Sequence, residues 1–279
     1  MMTKIVEFTK KHKYLGFFIK GFMFIALQII SINQEVRGVL RQKFHLKNEY
    51  QHIEKLKDKY AGKRCFIICT GPSLTIDDLE LIKNEYTFAM NSISLLYEKT
   101  DFRPTFYGCI DEGVFNQLQD NIFKYDSEDT EVFISNRIRK LIKGDLPKQW
   151  FNVSCNVAYH TYDRWFRGRF WCKFSNDAVR GIYDMYSVTH FLIQIAVYIG
   201  FEEIYLIGAD CTFPKGCKIH FVDHGVQDTT IDTARERNIC GYEEVKRFAE
   251  AHNVKVYNST RGGKLEIFDR VDLDELISE

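Results

Sequence analysis

Lys63 to Leu74 read KRCFIICTGPSL, and this stretch sets the predicted architecture. Within it, Cys65 to Cys69 form an unbroken apolar run that contains aromatic and β-branched residues. Such a run is typical of a strand that is covered on both faces of a sheet. The run stops at four small residues, Thr70, Gly71, Pro72 and Ser73. We therefore predict a buried strand that ends in a tight turn.

The turn after this strand leads into a predicted helix. Ile76, Leu79 and Ile82 give the helical spacing, and Ser73 is the expected N-cap. In an open α/β sheet, the first turn of this kind commonly faces a nucleotide phosphate, because free backbone N–H groups and the helix dipole point there. The turn matches neither the GxGxxG pattern nor a P-loop. The four turn residues are predicted phosphate contacts, and an ordinary tight turn is the alternative.

Buried runs and helical patterns alternate from Lys63 onward, which indicates a mostly parallel sheet with crossover helices on both faces. We predict a Rossmann-like α/β domain over residues 61–279. Polar residues follow several strands and are expected to share a crevice, because strand ends of one kind gather along one edge of such a sheet. These residues are Thr70, Asn91, Asp111 and Asn136. The predicted strands are Cys65–Cys69, Thr87–Asn91, Thr105–Asp111, Glu131–Ser135, Glu202–Asp210 and Val254–Tyr257.

Residues 145–186 interrupt this alternation, because aromatic residues and scattered arginines occur there without a steady period. Long irregular segments in compact domains are often functional, so this insertion is a candidate lid or acceptor-binding wall. A set of core aromatics beneath a surface loop is the alternative. Regularity returns at Ser187 to Gly200, an apolar helix with Ser187 as the expected N-cap and Gly200 as the expected stop.

The chain carries 38 basic and 38 acidic residues, so its net charge does not call for nucleic acid as a partner. Residues 1–60 are predicted to form a basic and apolar helical segment followed by a linker helix. Tyr14 to Ile32 is almost entirely apolar, and Lys20 interrupts it. Three interpretations are open: an interfacial or membrane-inserted anchor, a helix docked on protein, and a cleaved signal. An anchor would hold the chain at the cytoplasmic face of the inner membrane.

The eight cysteines form no CxxC pair. Cys65, Cys69 and Cys109 lie in apolar runs, where a free thiol behaves as a small hydrophobic group. An even number of cysteines does not establish a disulfide framework in a chain of this length. We therefore expect a reducing, cytoplasmic compartment.

Two histidines four residues apart, His220 and His224, are the first candidates for chemistry. This spacing occurs in zinc sites, but no third ligand follows at a suitable distance, so no metal site is predicted. A general base fits better, because an imidazole titrates near neutral pH. For each histidine, a surface or hydrogen-bonding role is the alternative.

Four further polar residues are candidates for substrate binding. Asp111 and Asp210 follow predicted strands, where a carboxylate can bind ribose hydroxyls, hold magnesium or cap a helix. Arg261 precedes two glycines and is a candidate phosphate contact, with a solvated arginine as the equal alternative. Asn91 can hydrogen-bond a base or a sugar, or form an ordinary Asx turn.

Several motifs together resemble a group of Rossmann-type families. The group contains the bacterial sialyltransferases that use CMP-sialic acid, and the archaeal 6-hydroxymethylpterin pyrophosphokinase-like (MptE-like) family. The closing run from Tyr257 to Leu276 is similar to the second family. The other motifs are ICTGPSL at Ile68–Leu74, AMNSIS at Ala89–Ser94, FYGCID at Phe106–Asp111, EEIYLIGAD at Glu202–Asp210 and HFVDH at His220–His224.

The sialyltransferase resemblance implies a donor phosphate near Thr70 and Gly71, and a cytidine near Asn91. It also implies that Ser187 lies at the sugar-nucleotide site and that His224 deprotonates the acceptor hydroxyl. Some positions depart from that family: Thr70 replaces an asparagine, Asp111 replaces an amide, and Met185 stands where an arginine would meet the sialic acid carboxylate. The departures preserve the expectation of a nucleotide site and leave the identity of the sugar open.

We expect a glycosyltransferase of bacterial surface-glycan assembly that uses a nucleotide-sugar donor, with CMP as the expected nucleotide. The acceptor would be a glycan or a lipid-linked hydroxyl, and the reaction would need no metal or other cofactor. One alternative is a pyrophosphokinase that moves diphosphate from ATP to a hydroxymethyl compound, with Asp111 and Asp210 holding magnesium. A noncatalytic nucleotide-sugar-binding module is a third class. The sequence is also compatible with a homo-oligomer.

Overall fold

The fold is known from a computed structural model, which describes residues 13–46, 49–165, 170–213, 220–223, 225–226 and 231–278. Nine strands occur in these ranges. In chain order they are β1 Arg64–Ile68, β2 Thr87–Met90, β3 Phe106–Cys109, β4 Glu131–Ser135, β5 Trp150–Val153, β6 Cys155–Asn156, β7 Ile182–Tyr183, β8 Glu203–Ile207 and β9 Lys255–Asn258.

Seven of the strands form one parallel sheet in the order β5-β4-β3-β2-β1-β8-β9, and β6 pairs with β7 in a separate two-stranded sheet. The chain runs outward from β1 to β5 in one direction and then continues from β8 to β9 in the other. The order therefore reverses between β1 and β8, which is the position where open α/β sheets bind ligands.

The described helices alternate with the strands. They are α1 Lys13–Lys43, α2 Ile76–Leu81, α3 Glu112–Lys124, α4 Asn136–Arg139, α5 Ala158–Trp165, α6 Val188–Tyr198, α7 Ala234–His252 and α8 Leu273–Ser278. Three 3-10 segments, Glu49–Leu56, Asn91–Leu96 and Ile231–Thr233, accompany them. The alternating α/β pattern and the Rossmann-like sheet predicted from the sequence are confirmed.

Both faces of the sheet are covered. In β1, Cys65 and Ile67 belong to one hydrophobic cluster, whereas Phe66 and Ile68 belong to the other. The first cluster includes most of the apolar side chains of α6, a helix that is buried along almost its whole length. The second includes residues of α2, α3 and α8. Burial on both faces explains why the strands appear in the sequence as continuous apolar runs rather than as alternating ones.

Residues 145–186, which show no regular period in the sequence, contribute to the main sheet. Their first strand, β5, pairs with β4 at the edge of the sheet. Two very short strands, β6 and β7, and helix α5 follow. The sequence analysis predicted none of these strands, because β5 has only four residues and β6 and β7 have two each.

Helix α1 has two halves with different surroundings. Its C-terminal half is docked on residues of the 145–186 segment: Asn156 Nδ2 donates to Ser31 Oγ at 3.1 Å, and the Tyr183 hydroxyl donates to Glu35 at 2.5 Å. Its N-terminal half exposes large apolar side chains, including Phe17, Phe18 and Phe22, which are 70–75% exposed. The helix is long and apolar enough to cross a membrane.

Candidate active site

A cavity of about 480 Å³ opens at the carboxyl ends of the strands, where the strand order reverses. Its volume lies within the range of about 300–1,000 Å³ that is typical of small-molecule sites. The segments after β1, β2, β3 and β8 line the cavity, together with α5, the start of α6 and the start of α7.

Seven of the predicted site residues line this cavity: Thr70, Gly71, Asn91, Asp111, Ser187, Asp210 and His220. Pro72, Ser73 and Arg261 are not among its lining residues. His224 lies outside the described residues.

The turn after β1 is bonded to the protein itself. Gly71 N–H donates to the Gly208 carbonyl at 2.9 Å, and Leu74 N–H donates to the Gly71 carbonyl at 3.2 Å. Ser73 donates twice to Asp210 Oδ2, from its amide at 3.3 Å and from its hydroxyl at 2.8 Å. The sequence analysis expected free amides here, and at Gly71 and Ser73 that expectation is wrong, because the Asp210 carboxylate and the Gly208 carbonyl are their acceptors. We call Thr70–Ser73 and Asp210 the turn wall.

Gly71 has no room for a side chain. A Cβ atom at this position would lie 2.0 Å from Asp210 Oδ2 and 2.4 Å from the Gly208 carbonyl oxygen. The backbone of the turn therefore approaches the end of β8 as closely as it can. This close approach is the physical reason for glycine in the TGPS sequence.

Ser73 does not cap the following helix, contrary to the prediction. The N-cap of α2 is Thr75, whose side chain accepts from Asp78 N–H at 3.1 Å. Asp78 accepts in return from Thr75 N–H at 3.0 Å, which completes a capping box. The Ser73 hydroxyl is occupied by Asp210 instead, so the helix begins two residues later than expected.

Arg261 supports the helix that follows the turn wall. Its guanidinium forms an ion pair with the buried Asp78 at 2.5 Å and with Asp274 at 2.6 Å. The hydrogen bonds to Asp274 and Asp78 raise the pKa of the guanidinium. This arrangement fits an arginine that fixes α2 and α8 in place better than a phosphate contact.

Two of the other predicted residues cap helices beside the cavity, and a third, Asn91, has an unusual backbone conformation. Asp111 caps α3 by accepting from Val114 N–H at 2.9 Å, and Ser187 caps α6 by accepting from Thr189 N–H at 3.2 Å. Asn91 has a positive φ of 46°. Its Oδ1 atom is buried and has no hydrogen-bond partner among the described residues.

His220 is positioned against the turn wall. Its Nδ1 atom lies 3.1 Å from Thr70 Oγ1, and the neighbouring Phe221 N–H donates to the Thr70 carbonyl at 2.7 Å. The structure thus brings together Thr70 and His220, two predicted site residues that are 150 positions apart in the chain.

A second group of polar residues also lines the cavity, and the sequence analysis did not single it out. Asp184 is only 2% exposed. Its Oδ2 atom lies 3.2 Å from Arg137 Nη2 and 3.3 Å from His160 Nδ1, and its Oδ1 atom accepts from Tyr186 N–H at 3.0 Å. We call Arg137, His160 and Asp184 the histidine wall.

The charge on Asp184 is compensated within the protein. Burial alone would raise the pKa of its carboxyl group, but His160, Arg137 and the Tyr186 amide hold that pKa below its usual value. Asp184 is therefore ionised at neutral pH, and it forms a buried negative centre between two basic side chains.

Two thiols at the cavity are unsuited to nucleophilic chemistry. Burial raises the pKa of Cys69 to about 11 and that of Cys211 to about 12, so both are protonated at neutral pH. The reactive form of cysteine is the thiolate, so we assign these residues to packing. Among the described residues, no group of three or more His, Cys, Asp or Glu side chains is arranged to hold a metal ion.

The fold and this cavity define the chain as a Rossmann-like α/β protein with a cavity lined by polar residues at the point where the strand order reverses. Residues 41–216 match the family described as 6-hydroxymethylpterin diphosphokinase MptE-like. The chain belongs to this family, which confirms that part of the resemblance. No curated protein matches the chain.

Among solved structures, the chain is similar to the MAf glycosyltransferase from Magnetospirillum magneticum AMB-1. The TM-score is 0.48 and the sequence identity is 16%. The similarity covers 82% of this chain and 39% of the other, so the chain spans about two fifths of that protein's length.

Proposed function

We propose that this protein is a glycosyltransferase that works at a membrane surface and transfers a sugar from a nucleotide donor to a hydroxyl group. The expected donor is CMP-linked, and the expected acceptor is a glycan or a lipid-linked molecule. The observation that carries this proposal is the attachment of the apolar helix α1 to the 145–186 segment, which provides His160 and Asp184 of the histidine wall. This attachment would bring the reaction centre close to an acceptor that is held in a membrane.

The contacts between α1 and that segment are polar and specific. Glu35 accepts from the Tyr183 hydroxyl and pairs with Lys173 at 2.9 Å, and Tyr183 directly precedes Asp184. Near the end of the helix, Arg41 donates to the Arg180 carbonyl at 2.8 Å. Helix α1 also packs against α5, the helix that carries His160.

The other half of α1 has the character of a lipid-binding surface. Its exposed residues are mainly Phe, Leu and Ile, and Lys20 is the single charged residue between Tyr14 and Ile32. At a rise of about 1.5 Å per residue, this stretch is close to the thickness of the hydrocarbon core of a bilayer. We therefore propose attachment to the cytoplasmic face of the inner membrane through this half of the helix.

In the proposed reaction, the oxygen of the acceptor hydroxyl forms a bond to the anomeric carbon of the donor sugar. The bond between that carbon and the phosphate oxygen breaks, and the phosphate leaves with the electron pair. A basic group takes the proton of the hydroxyl. This scheme uses no cofactor.

The family description supports a second candidate, the transfer of diphosphate from ATP to a hydroxymethyl compound. This reaction would use magnesium to neutralise charge on the transferred group. Asp111 Oδ1 is engaged in capping α3 and Asp210 Oδ2 is engaged with Ser73, so each carboxylate retains one further oxygen. Magnesium is commonly held by one or two carboxylates together with substrate phosphates, and both of these residues line the cavity, which supports this second candidate.

Thermal-shift measurements with nucleotides separate the candidates. We expect the full-length protein to be stabilised by CMP without added metal. Stabilisation by ATP that requires magnesium would favour diphosphate transfer instead. If neither CMP, CDP, UDP nor ATP shifts the melting temperature, a noncatalytic partner-binding role would replace both.

Vesicle flotation tests the membrane contact. Replacing Phe18 and Phe22 by Asp should release the full-length protein from vesicles of phosphatidylethanolamine and phosphatidylglycerol, because each aspartate would have to enter apolar surroundings. Leu141→Asp is the matched control, since Leu141 is also an exposed apolar residue but lies outside α1. Flotation of the double variant at the level of the control would contradict the proposed anchor.

A further inference from the structure

The histidine wall combines three features that a general base requires. Asp184 is buried and ionised, it faces the Nδ1 edge of His160, and His160 lines the cavity. A carboxylate beside Nδ1 favours the tautomer with a proton on that nitrogen, which leaves Nε2 as a proton acceptor. The His160 side chain is 36% exposed, whereas its Nδ1 atom is buried; that atom lies 3.3 Å from Asp184 Oδ2, an ion-pair distance, and forms no well-aligned hydrogen bond with the described residues.

The other contacts of this pair restrict its movement. The Tyr186 ring lies 5.3 Å from the His160 ring, and Tyr186 N–H binds the second oxygen of Asp184. Arg137 holds Oδ2 from another side. Both oxygens of Asp184 therefore have partners in the protein, Tyr186 N–H at Oδ1 and Arg137 at Oδ2. These contacts hold the carboxylate beside His160 before any substrate binds.

We infer that His160 is the catalytic proton acceptor for the attacking hydroxyl and that Asp184 is its positioning residue. This inference rests on the proposed function. The proton of the acceptor O–H moves to His160 Nε2 as the oxygen bonds to the anomeric carbon and the nucleotide phosphate leaves with the bonding electrons. The imidazolium that forms is stabilised by Asp184. In diphosphate transfer the same proton movement would accompany attack on phosphorus.

The other described histidines near the cavity suit this role less well. His220 Nδ1 lies 3.1 Å from the Thr70 hydroxyl, which is a neutral group. His190 is fully buried, its Nδ1 atom bonds the Met185 carbonyl at 2.6 Å, and burial lowers its pKa to about 4. His160, by contrast, has the buried Asp184 carboxylate beside Nδ1.

The experiment compares single variants of the full-length protein in vesicles of total membrane lipid. The probe is whichever of CMP-sialic acid, a UDP-sugar or ATP with magnesium stabilises the wild type, and the readout is release of the nucleotide. His160→Gln should lower kcat by about 100-fold or more while the thermal shift by the donor persists, because general base catalysis contributes factors of about 10²–10⁴. His252→Gln, on the exposed end of α7, is the matched control and should keep full activity.

Two further variants test the assignment itself. Added imidazole should partly restore nucleotide release to His160→Ala, because a small base can occupy the vacated space. Asp184→Asn should lower kcat and leave the KM for the donor unchanged, since the carboxylate acts through His160. Loss of donor binding in Asp184→Asn, with kcat unchanged at saturation, would overturn its positioning role.

The outcomes distinguish the two proposals. The inference would be overturned if His160→Gln kept full activity, and loss of activity in His224→Gln alone would assign the role to His224 instead. Either result would leave the proposed function standing. If none of the donor probes binds the wild type, the proposed function fails and the role of His160 fails with it.

Discussion

The turn wall and the histidine wall border the same cavity, but their polar groups are used differently. In the turn wall, Gly71 and Ser73 donate to protein acceptors, and Asp210 occupies the position where an anionic ligand was expected. In the histidine wall, a buried carboxylate supports an imidazole that reaches the cavity. The difference teaches that a turn of small residues at a strand end can serve to close the fold, while the side chains that we propose for the chemistry meet from distant segments.

The largest expected effect is on the turn wall. Gly71→Ala should lower the free energy of unfolding by about 3 kcal/mol, because a methyl group would overlap Asp210 and the Gly208 carbonyl. Urea unfolding measures this change. Gly262→Ala is the control, since a Cβ atom there would have no neighbour within 4 Å. Equal stability of the two variants would show that the turn is looser than its contacts indicate.

Arg261→Gln should have the next largest effect, a loss of about 2 kcal/mol in the free energy of unfolding. The reason is that the buried Asp78 would lose its cationic partner. The loss of stability is moderated because Arg261 is partly exposed, so solvent already screens the ion pair. Donor binding should not change. Lys124→Gln, in an exposed pair with Glu98, should change stability much less. Weakened donor binding in Arg261→Gln would instead support the prediction from the sequence that Arg261 contacts a phosphate.

Asp210→Asn should cost about 1 kcal/mol of stability, because the hydrogen bonds from Ser73 would change from charge-assisted to neutral. Asp269→Asn, at an exposed carboxylate, is the reference for urea unfolding. Binding of inorganic phosphate is measured on the same samples. If Asp210→Asn binds phosphate more tightly than the wild type, the turn wall is an anion site that Asp210 blocks. The turn wall would then also have a role in ligand binding, in addition to its role in the fold.

The smallest expected effect is the pH dependence of stability that Asp184 provides. Its pKa is lowered in the folded protein, so its ionisation stabilises the fold above the unfolded pKa of about 3.9, and this contribution disappears as the pH falls through the folded pKa. Urea unfolding of the wild type and Asp184→Asn should therefore differ less at pH 3 than at pH 7. A constant difference would mean that folding leaves the pKa of Asp184 unchanged.

The sequence predicted the parts of the fold that depend on local pattern. The strands β1 to β4, β8 and β9 lie within or close to their predicted ranges, and Ser187 caps α6 as expected. The edge strand β5 was missed because four residues give too little periodicity. The N-cap of α2 was placed two residues early, because nothing in the local pattern shows that Asp210, 137 positions away, takes the Ser73 hydroxyl.

The candidate site was predictable where it follows strand ends, and at Ser187 and His220, which a helix cap and a histidine pair indicated. Thr70, Asn91, Asp111 and Asp210 were found in this way, and all four line the cavity. The histidine wall was not, because Arg137, His160 and Asp184 come from three separate segments and two of them lie in the irregular region. The single signal was the expectation that Asn136, next to Arg137, lies at the crevice.

The docking of α1 has a practical consequence for any study of this protein. A fragment that begins after Lys43 would lose Glu35, which binds the Tyr183 hydroxyl, and the helix that packs against α5. It would therefore lose part of the structure that holds Asp184 in place. We expect such a fragment to be easier to handle in aqueous buffer and still to hold a nucleotide, yet to turn over poorly. Detergent micelles or nanodiscs containing the whole chain are therefore the suitable material for kinetic work.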